Sequence, residues 1–201
     1  MAAERHTYPE AMKAKEAGST HGEARMFISL DPPPETREEA AAWGREVART
    51  RRGLRPMAPD SIHLTLAFLG TRPVAEIDLL AEAIEGAARE VGELRGGAPL
   101  WLPKRRPRVL ALEVREAAGS LEGLRSGLIE GLAVRTGWEP ERRSFLPHLT
   151  VGRAGRGFRP GRAELPPAPA LRFSPQTITL YRSRLDPEGA RYEPLYTAPL
   201  G

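Results

Sequence analysis

The sequence predicts an α+β fold that is bilobal, with two pseudo-twofold-related lobes whose antiparallel sheets face a central cleft and whose helices pack outside. Two observations carry that expectation. Strand-like and helix-like segments alternate along the 201 residues in the order β-α-β-α-β-β-α-β-loop-β-β. The tripeptide His-Leu-Thr also occurs twice, at 63–65 and 148–150, each time in an apolar run that arrives soon after a helical segment. The 85 residues from His63 to His148 leave room for one copy per lobe. A chain of this length can bury a core of its own, and residues 25–201 are expected to form one bilobal domain.

Residues 1–24 are polar and aperiodic and read as a disordered or extended leader. Order is expected from Arg25-Met26-Phe27-Ile28-Ser29-Leu30-Asp31, an apolar strand stopped by Pro32-Pro33-Pro34. Thr36 and Glu39 have the spacing of a capping box, and Ala40, Trp43 and Val47 follow at helical intervals to about Thr50. Arg49, Arg51, Arg52 and Arg55 cluster before the first His-Leu-Thr strand. They form either a solvated loop or a phosphate contact. From Val74 to about Val91, Ile77, Leu80, Ala81, Ile84 and Ala88 share one helical face. Strands are expected at Leu94–Leu102 and Arg108–Val114, joined by the basic turn Lys104-Arg105-Arg106-Pro107-Arg108, a second candidate phosphate contact. Ser120 is placed to cap a helix carrying Leu121, Leu124, Leu128 and Leu132, with Gly137 as its stop. After the second His-Leu-Thr strand, 155–169 is a Gly- and Pro-rich loop holding Arg156, Arg159 and Arg162, and 177–197 reads as a hairpin.

Composition narrows the function classes. There is no cysteine, which excludes disulfides, thiolate zinc sites and a cysteine nucleophile and fits a reducing cytoplasm. No apolar run approaches a membrane span. Lys and Arg number 30 against 26 Asp and Glu, too small an excess to argue for duplex DNA. Nearly all the basic residues are arginine, which suits bidentate phosphate contacts. A monomer with an anionic partner is expected.

The chain has four histidines, and those outside the leader both sit in the repeat. Residues two apart in a strand share a face. His63 and Thr65 therefore point one way, and Ile62, Leu64, Leu66 and Phe68 the other; His148 and Thr150 likewise oppose Leu149 and Val151. Continuing each polar face by two residues reaches Ala67 and Gly152, small residues that would leave space for a ligand. Either copy alone is consistent with a structural, hydrogen-bonded histidine; the pair argues for a shared site. Two histidines supply too few ligands for a metal, and no carboxylate adjoins either motif to orient a nucleophilic triad. Acid–base chemistry remains. One imidazole can accept a proton while the other donates one, which is what in-line displacement at phosphorus requires. The hydroxyls and an arginine would hold the non-bridging oxygens. A strained diester such as a 2′,3′-cyclic phosphate at an RNA end fits these parts.

Ile-His-Leu-Thr-Leu-Ala-Phe-Leu-Gly and Phe-Leu-Pro-His-Leu-Thr-Val-Gly-Arg, with the opening Arg-Met-Phe-Ile-Ser-Leu-Asp, Pro-Arg-Val-Leu-Ala-Leu and the late Gly-Ala-Arg-Tyr, resemble the 2H phosphoesterases. Within them the likeness is to the RNA 2′,3′-cyclic phosphodiesterases, also called 2′-5′ RNA ligases. The resemblance implies hydrolysis of an RNA-terminal 2′,3′-cyclic phosphate to a 2′-phosphate, without metal or cofactor, and reversal as weak 2′-5′ ligation. It implies that His63 protonates the leaving 3′-oxygen, His148 activates water, and Thr65, Thr150 and Arg153 bind phosphate. Strand alternation alone would put Arg153 on the core side, unless the strand bulges at Gly152. Phe27, Arg51, Arg52, Lys104, Arg105, Arg106 and Arg156 are candidate RNA contacts. A non-catalytic protein that holds RNA ends in the same pocket is the alternative.

Overall fold

The opening apolar segment forms strand β1 (Glu23–Leu30), so the last two residues assigned to the leader belong to the sheet. The computed structural model describes residues 22–161, 164–186 and 189–201; His6, His21 and Arg162 lie outside them. Helix α1 (Pro34–Thr50) begins two residues before the expected cap. Proline at its first position has no N–H to leave unsatisfied, and Thr36 is buried in the first turn with no side-chain cap formed. Strands β2 (Leu54–Pro56) and β3 (Leu64–Pro73) follow, then α2 (Ile77–Ala87), whose expected first turn is a separate 3-10 turn at Val74–Glu76. After β4 (Leu94–Leu102) and β5 (Val109–Glu116) comes α3 (Ser120–Thr136). Here Glu116, not Ser120, caps the helix: its Oε2 accepts from the Leu121 N–H at 2.9 Å, while Ser120 Oγ accepts from Gly92 N–H at 2.9 Å. Gly137 ends α3 at φ 64°, a left-handed turn that glycine adopts freely. The chain closes with β6 (His148–Ala154), β7 (Leu171–Phe173), β8 (Thr177–Asp186) and β9 (Gly189–Pro199). Among the described residues no helix is long and apolar enough to cross a membrane.

The expected pair of antiparallel sheets is realised as two halves of one curled sheet, ordered β7-β4-β5-β6-β3-β1-β8-β9 with β2 added to β6. Read outward from the centre, β6-β5-β4-β7 mirrors β3-β1-β8-β9, which is the pseudo-twofold expected from the repeat. The halves meet at a single register pair, Leu64 with Leu149. Each of these leucines follows a histidine of the repeat. The helices cross over. α1, which follows β1 of one half, packs against β2, β6 and β7 of the other. α3, which links β5 to β6, packs on α2, which itself covers β8 and β9.

The second level of symmetry lies in two bulges. On β3, Thr65 faces Ser29 and Ala67 faces Ile28, so Leu66 is the extra residue. On β6, Thr150 faces Ala111 and Gly152 faces Leu110, so Val151 is extra. Each bulge falls three residues after its histidine and turns two successive side chains inward. Leu66 and Ala67 are both buried, as are Val151 and Gly152. The regular alternation expected beyond the motifs is thereby corrected. Ala67 belongs to the core and opens no space. Gly152 makes room for Leu54, whose Cδ1 would lie 3.1 Å from a Cβ there. Phe68, expected in the core, is 53% exposed. Arg153, at the matching position of the second copy, is exposed too, and the bulge resolves the parity conflict that strand alternation had raised for it.

Backbone contacts hold each bulge. The Val151 carbonyl accepts from Met57 N–H at 2.9 Å, and the Leu66 carbonyl accepts from Arg125 Nε at 3.2 Å. α1 reaches Val151 because residue 44 is glycine: a Cβ there would sit 2.5 Å from the Val151 oxygen. Alanine in a helix interior is ordinarily worth up to about 1 kcal/mol over glycine. At Gly44 the collision reverses the sign, and Gly44→Ala is expected to lower stability by about 1–3 kcal/mol in urea unfolding. Gly123→Ala in α3, with nothing within 4 Å of the added methyl, is expected to raise it by up to about 1 kcal/mol.

Candidate active site

The antiparallel pairing of Leu64 with Leu149 fixes the neighbours on either side. Counted from it, His63 lies across from Thr150 and Thr65 across from His148. All four side chains are half-buried on one face, while Leu64 and Leu149 are fully buried on the other. Strand alternation thus holds over these few residues and delivers both copies of the motif to one place.

Each imidazole is fixed by the backbone two residues earlier. The His148 Nδ1–H donates to the Leu146 carbonyl at 2.7 Å, which leaves Nε2 for the cleft. His63 makes the matching bond to the backbone of Ser61. Burial lowers the pKa of His63 to about 4, helped by the positive field of Arg153 and, more weakly, of His148, and opposed by the Ser61 bond. His63 is therefore neutral at pH 7.

An aromatic group backs His63. Phe27 stacks on it at a centroid distance of 4.7 Å, Tyr181 stacks on Phe27 at 5.3 Å, and Tyr192 meets both His63 and Phe27 edge-on, at 5.0 and 5.1 Å. Phe27 is only 3% exposed, so it forms a wall behind the imidazole; the outward-facing ring is Phe68, 6.3 Å from Phe27. Asp31 anchors this wall, accepting from Thr179 Oγ1 at 2.7 Å and Tyr181 Oη at 3.2 Å. Burial, then the Asp31 carboxylate, pushes the Tyr181 hydroxyl upward, so it stays a donor.

Beside the histidines lies a cleft of about 300 Å³ lined by Arg55, Met57, Ser61, Arg153, Ala190 and Arg191. Arg55 pairs with Arg153 in the β2–β6 register. Of the other sequence candidates, Arg51 is 7% exposed and donates to the carbonyls of Thr50 and Glu164, each at 3.2 Å, tying the end of α1 to the long loop. Arg52 is exposed beyond α1; Lys104 and Arg105 are exposed in the β4–β5 turn, where Arg106 shares a second cavity with Arg156. Among the described residues no group of three or more His, Asp or Glu side chains is placed to hold a metal. Sequence reasoning missed Tyr181, Tyr192 and Arg191 as site residues, whereas Arg55 belongs to the arginine cluster it named as a candidate phosphate contact. The register Phe27 with Tyr181 is invisible without strand order, although Arg191-Tyr192 already stood among the stretches that carried the family resemblance.

The model of the family described as LigT like Phosphoesterase matches residues 30–111. The chain is 33% identical to the RNA 2′,3′-cyclic phosphodiesterase of Escherichia coli over 85% of its own length and 93% of that protein. It is 35% identical to the protein of the same name from Thermus thermophilus over 86% of each. Among solved structures, one from Thermus thermophilus superposes with a TM-score of 0.73 at 28% identity, covering 88% of this chain and 97% of that one. Escherichia coli LigT complexed with 3′-AMP superposes at 0.70 and 29% identity, over 89% and 99%. With two relatives above 30% identity along most of their length and the same overall fold in the solved structures, the chain belongs to the LigT-like family of 2H phosphoesterases.

Proposed function

We propose that this chain hydrolyses 2′,3′-cyclic phosphate at the 3′ end of RNA, leaving a 2′-phosphate, by acid–base catalysis from His63 and His148. The observation that carries the proposal is the Leu64–Leu149 pair, which sets two imidazoles and two hydroxyls diagonally on one face. The relatives' shared name, RNA 2′,3′-cyclic phosphodiesterase, supports the same substrate.

In this reading Thr65, Thr150 and Arg153 hold the non-bridging oxygens where negative charge grows. His148, anchored through Nδ1, takes a proton from the attacking water at Nε2 while the new P–O bond forms opposite the ribose 3′-oxygen. His63 gives its proton to that 3′-oxygen as the P–O3′ bond breaks. The low pKa of His63 makes its protonation depend on the substrate: a bound phosphodiester anion offsets the Arg153 charge that helps to keep the imidazole neutral. A 5′-hydroxyl in place of water would give a 2′-5′ linkage by the same path.

His63→Ala and His148→Ala are each expected to reduce turnover of a 2′,3′-cyclic oligonucleotide at least ~100-fold, with the fold intact by circular dichroism and the product phosphate of the parent protein at the 2′ position. Undiminished turnover in either variant sinks the mechanism, and tight binding of the cyclic end without any turnover favours an RNA-end-binding protein.

The proton linkage gives a second test. The unfolded chain protonates this histidine near pH 6.5 and the folded one near 4, so the folded state binds fewer protons between those values. The stability is present above pH 6.5 and is lost as pH falls toward 4, by up to ~3 kcal/mol. Urea midpoints in phosphate-free buffer at pH 7.5 and 4.5 are expected to show this loss, and His63→Gln to remove most of it. In the presence of a 2′-nucleotide the His63 ring resonances are expected to titrate at higher pH; no movement would reassign His63 as the base and His148 as the acid.

A further inference from the structure

A second cavity, of about 590 Å³, lies between the β4–β5 turn and the turn that follows β6. Four arginines line it, Arg106, Arg108, Arg156 and Arg159, together with Phe158, and among the described residues no carboxylate does. Elsewhere in the fold arginines such as Arg72 and Arg115 have carboxylate partners at 2.6 and 2.7 Å. Among the described residues none of these four has an ion pair or a side-chain hydrogen bond. Converging like charges without a counter-charge oppose the compact state, and an anion in the cavity removes that cost.

The arginines stand on anchored backbone. Phe158 packs on Trp101 at 5.4 Å and lies 3.8 Å from where a Cβ on Gly53 would be. Gly157, at φ 79°, turns the chain so that Arg156 and Arg159 flank this plug. The Ala154 N–H donates to the Arg108 carbonyl at 2.8 Å, which fixes the third arginine to the end of β6.

The cavity lies beside the end of the strand that carries Arg153. Val109, next to Arg108, pairs with Arg153, and Arg156 lies three residues beyond Arg153 in the turn that follows β6, a reach of at most ~10 Å along the chain. That is a nucleotide step or two from the phosphate that Arg153 would hold. A 2′,3′-cyclic phosphate closes the 3′ end, so every further phosphate of the same strand lies on its 5′ side. Arginine forks suit phosphate oxygens and read no base.

We infer that the Arg106–Arg108–Arg156–Arg159 cavity is a second phosphate site that grips an internal phosphate upstream of the cyclic end, so that oligonucleotide ends, and not cyclic mononucleotides, are the preferred substrate class. The inference rests on the function proposed above, and the test separates the two.

The decisive measurement is kcat/KM for a 2′,3′-cyclic mononucleotide and for cyclic-ended RNAs of two, four and eight nucleotides, with the parent protein and the Arg106→Gln/Arg156→Gln double variant. The parent is expected to gain at least tenfold between the mononucleotide and the tetramer. The double variant should lose that gain while keeping the mononucleotide rate, and its log–log salt dependence on the longer RNAs should be shallower by roughly 0.7 per arginine removed. Thermal midpoints equal to the parent's establish that the variant is folded. An unchanged length dependence in the variant overturns the inference, as does an equal loss on all substrates, which would assign these arginines to the reacting phosphate itself. Loss of ATP binding with the length dependence intact would assign the cavity to a free nucleoside triphosphate and also overturn it. Failure of the parent protein to hydrolyse any cyclic phosphate refutes instead the function on which the inference rests.

Discussion

The backbone pairing of Leu64 with Leu149 is the constraint from which the site follows. The two halves of the sheet meet in register there, and the pair falls at the same position of both His-Leu-Thr copies. With both leucines buried, a slip of one residue would move each His–Thr set to the core face and each leucine to the cleft. Hydrophobic burial therefore sets the register of the two motifs, and the polar groups need no pairing of their own to find each other. The ring bonds to the backbone at Ser61 and Leu146 then fix the rotation that the register leaves open.

On this near-symmetric frame the side chains differ. Five residues after its histidine, one half carries Phe68 and the other Arg153, both brought outward by equivalent bulges. His63 is backed by Phe27, Tyr181 and Tyr192, whereas the second half leads toward Arg153 and the arginines beyond it. The wall behind His63 is aromatic, and the β6 side of the cleft carries Arg153 paired with Arg55. Two imidazoles of identical local sequence therefore meet different environments, which is the condition for one to act as acid and the other as base.

The paired motif was legible in the sequence because it is local: five residues of alternation suffice to put histidine and threonine on one face. Alternation failed at Leu66 and Val151, where the strand gains a residue. The cause lies elsewhere in the chain, in Gly44, Met57 and Arg125, which meet the bulged carbonyls only after the helices have packed. Ala67, Gly152 and Phe68 were consequently assigned to the wrong environments, and Arg153 stayed ambiguous. The aromatic wall was illegible for a related reason, since Phe27 meets Tyr181 through the β1–β8 register across some 150 residues of chain. β2 and β7, three residues each, are too short for periodicity to register. Glu116 replaced Ser120 as a helix cap because a carboxylate ending a strand can reach a free N–H of the first turn, that of Leu121.

The crossed helices bear on motion. Because α1 braces the strand that carries His148 while α3, through Arg125, touches the strand that carries His63, rotating one lobe as a rigid body would drag a helix across the other lobe's core. A hinge between the lobes is thus closed off by the way the chain is threaded. Substrate admission falls to the loops around the rim, and the spacing between the imidazoles is set once, when the protein folds.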